Sequence, residues 1–334
     1  MTKKIKIAVD AMGGENSPKK VIDAILENTK KNKDIFFNIF GDENIIKNYI
    51  SKKLDDNIYK IHHTENKILD TDTPLSAAKK GKDTSMWLTV ESVKNKESDI
   101  AISAGNTGAL FVIAKLNLKM IEKIDKPALS ALWPNKKGFN VVLDLGANIE
   151  CSEKNLLDFS IMGASLYKSL YPNDEAKVAL LNIGSEELKG NEIIKNAYQL
   201  LNEKKNKDFK FMGYIEGNNI MEGDVNVIVT DGFTGNIALK TAEGTANFIM
   251  NEFKKTMTSN ILGKISALIN ISNLKKTKQK FDPRYYNGAI LIGLTSPVVK
   301  SHGSTDYIGF SNSINVCKKI IEGDLIQKIK NNIN

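Results

Sequence analysis

Short apolar runs alternate with longer stretches of helical periodicity from one end of the chain to the other. "KIKIAVD" precedes a helical pattern from about Pro18 to Lys31, and "DIFFNIFG" precedes another near 43–52. "NIYKIHH" leads to the helical "DTSMWLTVESVKN", "SDIAISA" to "GNTGALFVIAKLNL", and "FNVVLDL" to "NLLDFSIMGASLYKSL". "AKVALLNIG", "DFKFMGYI" and "DVNVIVTDG" continue the series, each with a helical partner downstream. Cores such as "VVLDL" and "VNVIVT" suit strands buried between two helical layers. This βαβ rhythm predicts an α/β fold with a mostly parallel sheet covered on both faces, in one domain over residues 1–334.

In such sheets ligands gather at the carboxyl ends of the strands. Five loops there are alike in composition, namely "DAMGGENSP", "SAGNTGAL", "DLGANIE", "TDGFTGNIAL" and "VVKSHGSTD". One loop of Gly with Asp, Asn, Ser or Thr is an ordinary turn. Five at equivalent positions predict one shared pocket, rich in backbone N–H groups and poor in cations, which suits a small oxyanion such as phosphate. The first loop has neither G-x-G-x-x-G nor G-x-x-x-x-G-K-[ST], so a dinucleotide or a Walker-type phosphate site is not its reading. Gly13 and Gly14 still permit close backbone approach to an anion. Ser17 is the expected cap of the following helix and Pro18 its first residue.

Composition narrows the partners. The chain is 41% hydrophobic and 26% charged, ordinary for a soluble protein. "MTKKIKIAVDA" does not read as a secretory leader, and no run approaches the roughly 20 apolar residues of a membrane span. Cys151 and Cys317 lack metal-type spacing and there are three histidines, so no metal or other cofactor is expected and the compartment is the cytoplasm. The net charge of +8 rests almost wholly on lysine, Arg284 being the single arginine. Base reading leans on the arginine fork, so nucleic acid is not the expected partner. Residues 254–280 hold seven lysines and no acid. Within 253–280, Met257, Ile261, Ile265, Leu268 and Ile269 form one apolar stripe, with Lys254, Lys255, Lys275 and Lys276 at its ends and Lys264 between. That pattern predicts a protruding basic amphipathic helical hairpin, able to lie on an anionic membrane surface, to dock an acidic protein, or to pack on the core.

The motifs "VDAMGGENSP", "SMWLTVESVK…SDIAISAGNTGAL", "PALSALWP", "VVLDLGANIECSEKNL", "VIVTDGFTGNIALKTAEG" and "VVKSHGS" occur in that order from about residue 5 to 320. Together they resemble the phosphate acyltransferases of bacterial phospholipid synthesis, the PlsX family. The resemblance implies a phosphotransacetylase-like three-layer α/β/α sandwich, a homodimer, and transfer of a long-chain acyl group from acyl carrier protein to inorganic phosphate. It also implies peripheral membrane association, with a downstream membrane acyltransferase consuming the acyl phosphate. Trp87 stands where many relatives have arginine, so no role of that arginine carries over.

Phosphate attack on a thioester needs no enzyme nucleophile, only positioning, oxyanion donors and an acid for the leaving thiolate. Gly13, Gly14, Ser103, Gly105, Asn106 and Thr107 are the expected cradle. Asn148, Thr234 and Asn236 are expected to add donors. Asp10, Asp144 and Asp231 are expected to orient loop N–H groups or Lys240. Lys300 and His302 are the cationic and acid–base candidates, the other reading of His302 being a loop hydrogen bond. Cys151 is read as a packing residue rather than an acyl carrier. A coenzyme A-dependent phosphotransacetylase and a non-enzymatic carrier- or lipid-binding module remain as alternatives, while a dehydrogenase lacks its fingerprint.

Overall fold

The computed structural model describes residues 4–50, 54–79, 81–204, 206–274 and 282–333. Its eleven strands form a single sheet: β1 (Ile5–Asp10), β2 (Ile35–Gly41), β3 (Tyr59–His63), β4 (Ile100–Ser103), β5 (Ala128–Pro134), β6 (Phe139–Leu143), β7 (Lys177–Asn182), β8 (Lys210–Glu216), β9 (Val227–Val229), β10 (Ala289–Ile292) and β11 (Val298–Lys300). Their order is β3-β2-β1-β4-β11-β10-β5-β6-β9-β7-β8.

Pairing is parallel from β3 to β11 and again from β6 to β8, but β11–β10, β10–β5 and β5–β6 are antiparallel. Three reversals leave the two parallel blocks running in opposite directions. The register makes this concrete. Ile102, Val299, Ile290, Ser130, Leu143 and Val229 stand in one row across the sheet. Ser103 and Lys300 lie one residue beyond that row on one side, and Asp144 and Thr230 one residue beyond it on the other. The expected mostly parallel sheet is present. The five strand-end loops, however, do not share an edge, because periodicity alone cannot reveal the antiparallel centre. The loops after β1, β4 and β11 open at one edge, and those after β6 and β9 at the opposite edge.

The helices are α1 (Lys19–Lys31), α2 (Glu43–Ile50), α3 (Pro74–Lys79), α4 (Ser85–Lys94), α5 (Thr107–Asn117), α6 (Glu153–Leu170), α7 (Glu192–Glu203), α8 (Gly232–Thr258), α9 (Ile261–Ile269) and the C-terminal pair Tyr307–Glu322 and Leu325–Asn332. One face of the sheet buries α1, α2, α6, α7 and the C-terminal pair in a single cluster around Phe37, Phe159 and Phe310. The other face carries α3, α4 and α5 on the first block and the start of α8 on the second. Each fully buried phenylalanine contributes about 1.5–3 kcal/mol.

Two local expectations change. Ser17 does not cap α1; its hydroxyl turns back to donate to the Gly13 carbonyl (2.6 Å), and the helix opens at Lys19. The apolar stripe at 257–269 is not on one helix. α8 ends at Thr258, and Asn260 caps α9 by accepting from the Gly263 N–H at 2.7 Å. Beyond Ala242 every residue of α8 is exposed except Met250 and Met257. α9 turns Gly263 and Ala267 inward and leaves Ile261 (76% exposed), Ile265, Leu268 (67%) and Ile269 outward. Only small residues let two helices approach closely, so the large apolar groups face away. Lys275 and Lys276 lie outside the described residues.

Candidate active site

At the first edge the three loops close on one another through glycine. A Cβ on Gly13 would sit 2.6 Å from both Asp10 Oδ2 and the Gly105 nitrogen. Gly14, at φ +80°, brings the backbone against the carbonyls of Ala104 and Gly303. The Glu15 N–H donates to Gly303 O (3.0 Å) and the Ser301 N–H to Ser103 O (2.9 Å). Asp10, fully buried, organises this contact. Its Oδ2 accepts from the Ser103 hydroxyl (2.6 Å) and its Oδ1 from the Met12 N–H (3.2 Å). Burial raises its pKa above the usual carboxylate range, against the pull of those hydrogen bonds and of Ser85. Ser103 in turn accepts from the Gly105 N–H at 3.0 Å.

Asn106 caps α5 by accepting from the Ala109 N–H (3.0 Å), while its amide donates to the carbonyls of Asp70 (3.0 Å) and Asp72 (2.9 Å). Its side chain is therefore a tie between loops, and α5 begins directly after it at Thr107. Lys300 directs Nζ to the carbonyls of Ala104 (3.4 Å) and Ser301. Burial first, then the neighbouring Lys20, lowers its pKa to about 8. His302 is held by its N–H to Asn287 Oδ1 (2.9 Å), and its Nδ1 accepts from the Ser304 N–H (3.3 Å), which leaves the ring proton on Nε2. Burial and the charge of Lys300 lower its pKa below the usual imidazole value, so it is chiefly neutral at pH 7.

The second edge repeats the device without the lysines. Asp144, fully buried, accepts from the N–H groups of Leu129 (2.9 Å), Ala147 (3.1 Å) and Asn148 (2.7 Å) and from the Asn148 amide (2.8 Å). Burial raises its pKa as well. The Asn148 amide also donates to Pro127 O (2.8 Å), just before β5, so it ties the loop to that strand as well as to Asp144. Asp231 caps α8, accepting from the Thr234 N–H and hydroxyl, each at 2.8 Å. Gly232 and Gly235 let α8 start in contact with the 144–148 loop, where a Cβ would meet Asn148 O and Asp144 O.

α8 links the two edges. Asn236, Lys240 and Glu243, at i, i+4 and i+7, lie on one face, and the last two act electrostatically on His302. Lys240 pairs with Glu243 at 2.8 Å, not with a strand-end aspartate. The five-loop pocket of the sequence is thus three loops faced by one helix, with Asp144, Asn148 and Asp231 fixing that helix's base. Cys151 is buried behind it, its thiol pushed up to about 11 chiefly by burial, which keeps it out of the reactive thiolate form.

The residue that the sequence reading missed is Lys20. It is 4% exposed, donates to Gly303 O, and has its pKa lowered by burial. The signal was its position: Lys20, Ala24 and Asn28 recur every four residues on the buried face of α1.

Fold and loops define a phosphotransacetylase-like α/β protein. The chain superposes on the EutD phosphotransacetylase from Staphylococcus aureus with a TM-score of 0.62, over 96% of this chain and 94% of that one, at 16% identity. A phosphotransacetylase from Streptococcus pyogenes gives 0.62 at 15% identity, over 98% and 95%. At such identity the likeness is one of fold. Residues 5–328 match the fatty acid synthesis protein family. A phosphate acyltransferase of Pelagibacter ubique is 70% identical over all of both chains, and one of Maricaulis maris 40% identical over 98% of this chain and 94% of its own. The chain belongs to the fatty acid synthesis protein family and is an acyltransferase.

Proposed function

We propose that the protein transfers a long-chain acyl group from acyl carrier protein to inorganic phosphate, producing acyl phosphate for phospholipid synthesis. The observation that carries this reading is the first-edge cluster: glycine-spaced backbone N–H groups around Asp10 and Ser103, with a partly buried lysine at its rim. Phosphate held there attacks the thioester carbonyl carbon. A carbon–oxygen bond forms, the carbon–sulfur bond breaks, and the pantetheine thiolate takes a proton. Lys300 is the better acid of the two candidates, since a pKa of about 8 lies close to that of an ordinary thiol, whereas His302 is already neutral. Asn236 and Lys240 face the reaction from α8, and Thr234 with Asp231 sets the pitch of that helix.

The outward apolar face of α9, with Lys254, Lys255 and Lys264 exposed nearby, supports contact with an anionic membrane surface or with acidic acyl carrier protein. Among the described residues no helix is long and apolar enough to cross a membrane. A homodimer working at the membrane beside the acyltransferase that uses acyl phosphate completes this reading. The test mixes the protein with palmitoyl-acyl carrier protein and follows free carrier thiol with and without phosphate. Release that saturates with phosphate, and is weak with acetyl-coenzyme A, is expected. Equal release without phosphate, or none from either donor, overturns it.

A further inference from the structure

Lys20 and Lys300 come from opposite ends of the sequence, one on α1 and one at the end of β11. They reach different carbonyls that border the same glycine, Gly14. Lys20 Nζ donates to Gly303 O and lies 2.9 Å from the Cβ position of Gly14; Lys300 Nζ reaches Ala104 O, which is 2.8 Å from that same position. Among the described residues neither ammonium lies within 4.0 Å of a carboxylate. Asp70 acts on both from farther off, Glu15 on Lys20 and Asp10 on Lys300.

Bringing two ammonium groups together out of water, without a paired carboxylate, is unfavourable by both desolvation and repulsion. Carbonyl acceptors offset part of that cost; an anion offsets the rest. We propose that Lys20 is a phosphate-binding residue, forming with Lys300 a cation pair whose counter-charge is the inorganic phosphate co-substrate. This deepens the function proposed above and rests on it for the identity of the anion. The phosphodiester of the carrier's pantetheine arm has similar chemistry, and the kinetics separate the two. A lysine is a point charge on a flexible stem, so the pair supplies attraction while the N–H groups of the glycine loops supply orientation.

The experiment uses the full-length protein and its K20M, K20Q and K20R variants. Inorganic phosphate binding is measured calorimetrically at pH 8 in buffers of different ionisation enthalpy, which yields both affinity and proton uptake. Initial rates are measured against phosphate and then against palmitoyl-acyl carrier protein. The wild type binds phosphate with uptake of a fraction of a proton as Lys300, near half-charged among Lys20, Asp10, Asp70 and His302, becomes fully charged. K20M and K20Q weaken phosphate binding and raise its KM ten- to a hundredfold, leaving the KM for the carrier substrate within twofold. Their proton uptake falls, because Lys300 without its charged neighbour holds more of its proton before phosphate arrives, burial still lowering its pKa. A merely structural tie to Gly303 would not change that uptake. K20R, which keeps the charge, stays within about fivefold.

Phosphate affinity within twofold of wild type in a folded K20M or K20Q protein overturns the proposal. So does a loss confined to the KM for the carrier substrate, which would place the pantetheine phosphodiester at the pair. If the neutral variants do not fold, K20R with wild-type proton uptake and near-wild-type affinity upholds the charge requirement, and K20R with phosphate affinity lost tenfold or more overturns it. Phosphate binding that depends on Lys20 without thiol release would uphold the pair and overturn the acyltransfer reading. Phosphate-dependent release indifferent to Lys20 would do the reverse.

Discussion

The two edges of the sheet are built alike and differ in one respect. Each ends a buried strand in an aspartate whose carboxylate gathers loop N–H groups, Asp10 on one side and Asp144 on the other, and at each edge burial raises the acid's pKa. Only the first edge adds desolvated lysines. An aspartate that organises N–H groups builds a loop; the proposed anion site needs a cation added to such a loop. The second edge gives its polar groups to holding α8 in place, as the double engagement of the Asn148 amide shows.

Four substitutions or conditions test that division. Removing the charge at Lys300 (K300M) is expected to lower kcat/KM for phosphate by about 100- to 1,000-fold, the combined loss of the proposed phosphate contact and the proposed acid. Wild-type thiol release from K300M would erase the distinction between the edges. Asp144→Ala strands four buried or half-buried donors and is expected to destabilise by about 3–5 kcal/mol, read from the denaturant midpoint, while the protein that remains folded keeps its phosphate KM within a fewfold. A stable D144A protein with a raised phosphate KM would move the second edge into the site. The third test is pH. Lys300 carries its charge below about 8 and loses it above, so the KM for phosphate is expected to rise severalfold between pH 8 and 9.5. Phosphate grows more anionic over the same direction of pH, which alone would lower KM, so the sign identifies the lysine. Smallest of all, Cys151→Ser is expected to leave turnover within twofold, and intact mass should show no acylated protein during turnover.

Much of the fold was legible because buried parallel strands announce themselves as apolar runs between helical periods, as "VVLD" and "VNVIV" did. The antiparallel centre was not. "PALSALWP" carries two prolines and a tryptophan and reads as a motif before it reads as a strand, and a four-residue run such as "AILI" has no direction. Without β5 and β10 the loops of both blocks fall on one imagined edge. At the site, Gly13 and Gly105 were legible because only glycine tolerates the 2.6 Å approach, whereas amide orientation at Asn106 and Asn148 has no sequence signature. Lys20 was hidden by composition: among 46 lysines, one more on a helix reads as solvated unless its place on the buried face is noticed.

α8 is one unbroken helix from its seat against Asp144 to its exposed end at Thr258. At 1.5 Å per residue, Lys240 lies about 8 Å from Gly235 and the far end about 35 Å. The helix is therefore a lever with its fulcrum in the protein body and its short arm beside His302. Rocking that shifts the tip by about 4 Å shifts Lys240 by only about 1 Å. Whatever the tip touches can be rough and fluid, and the geometry around Lys240 and His302 is shielded from it roughly fourfold.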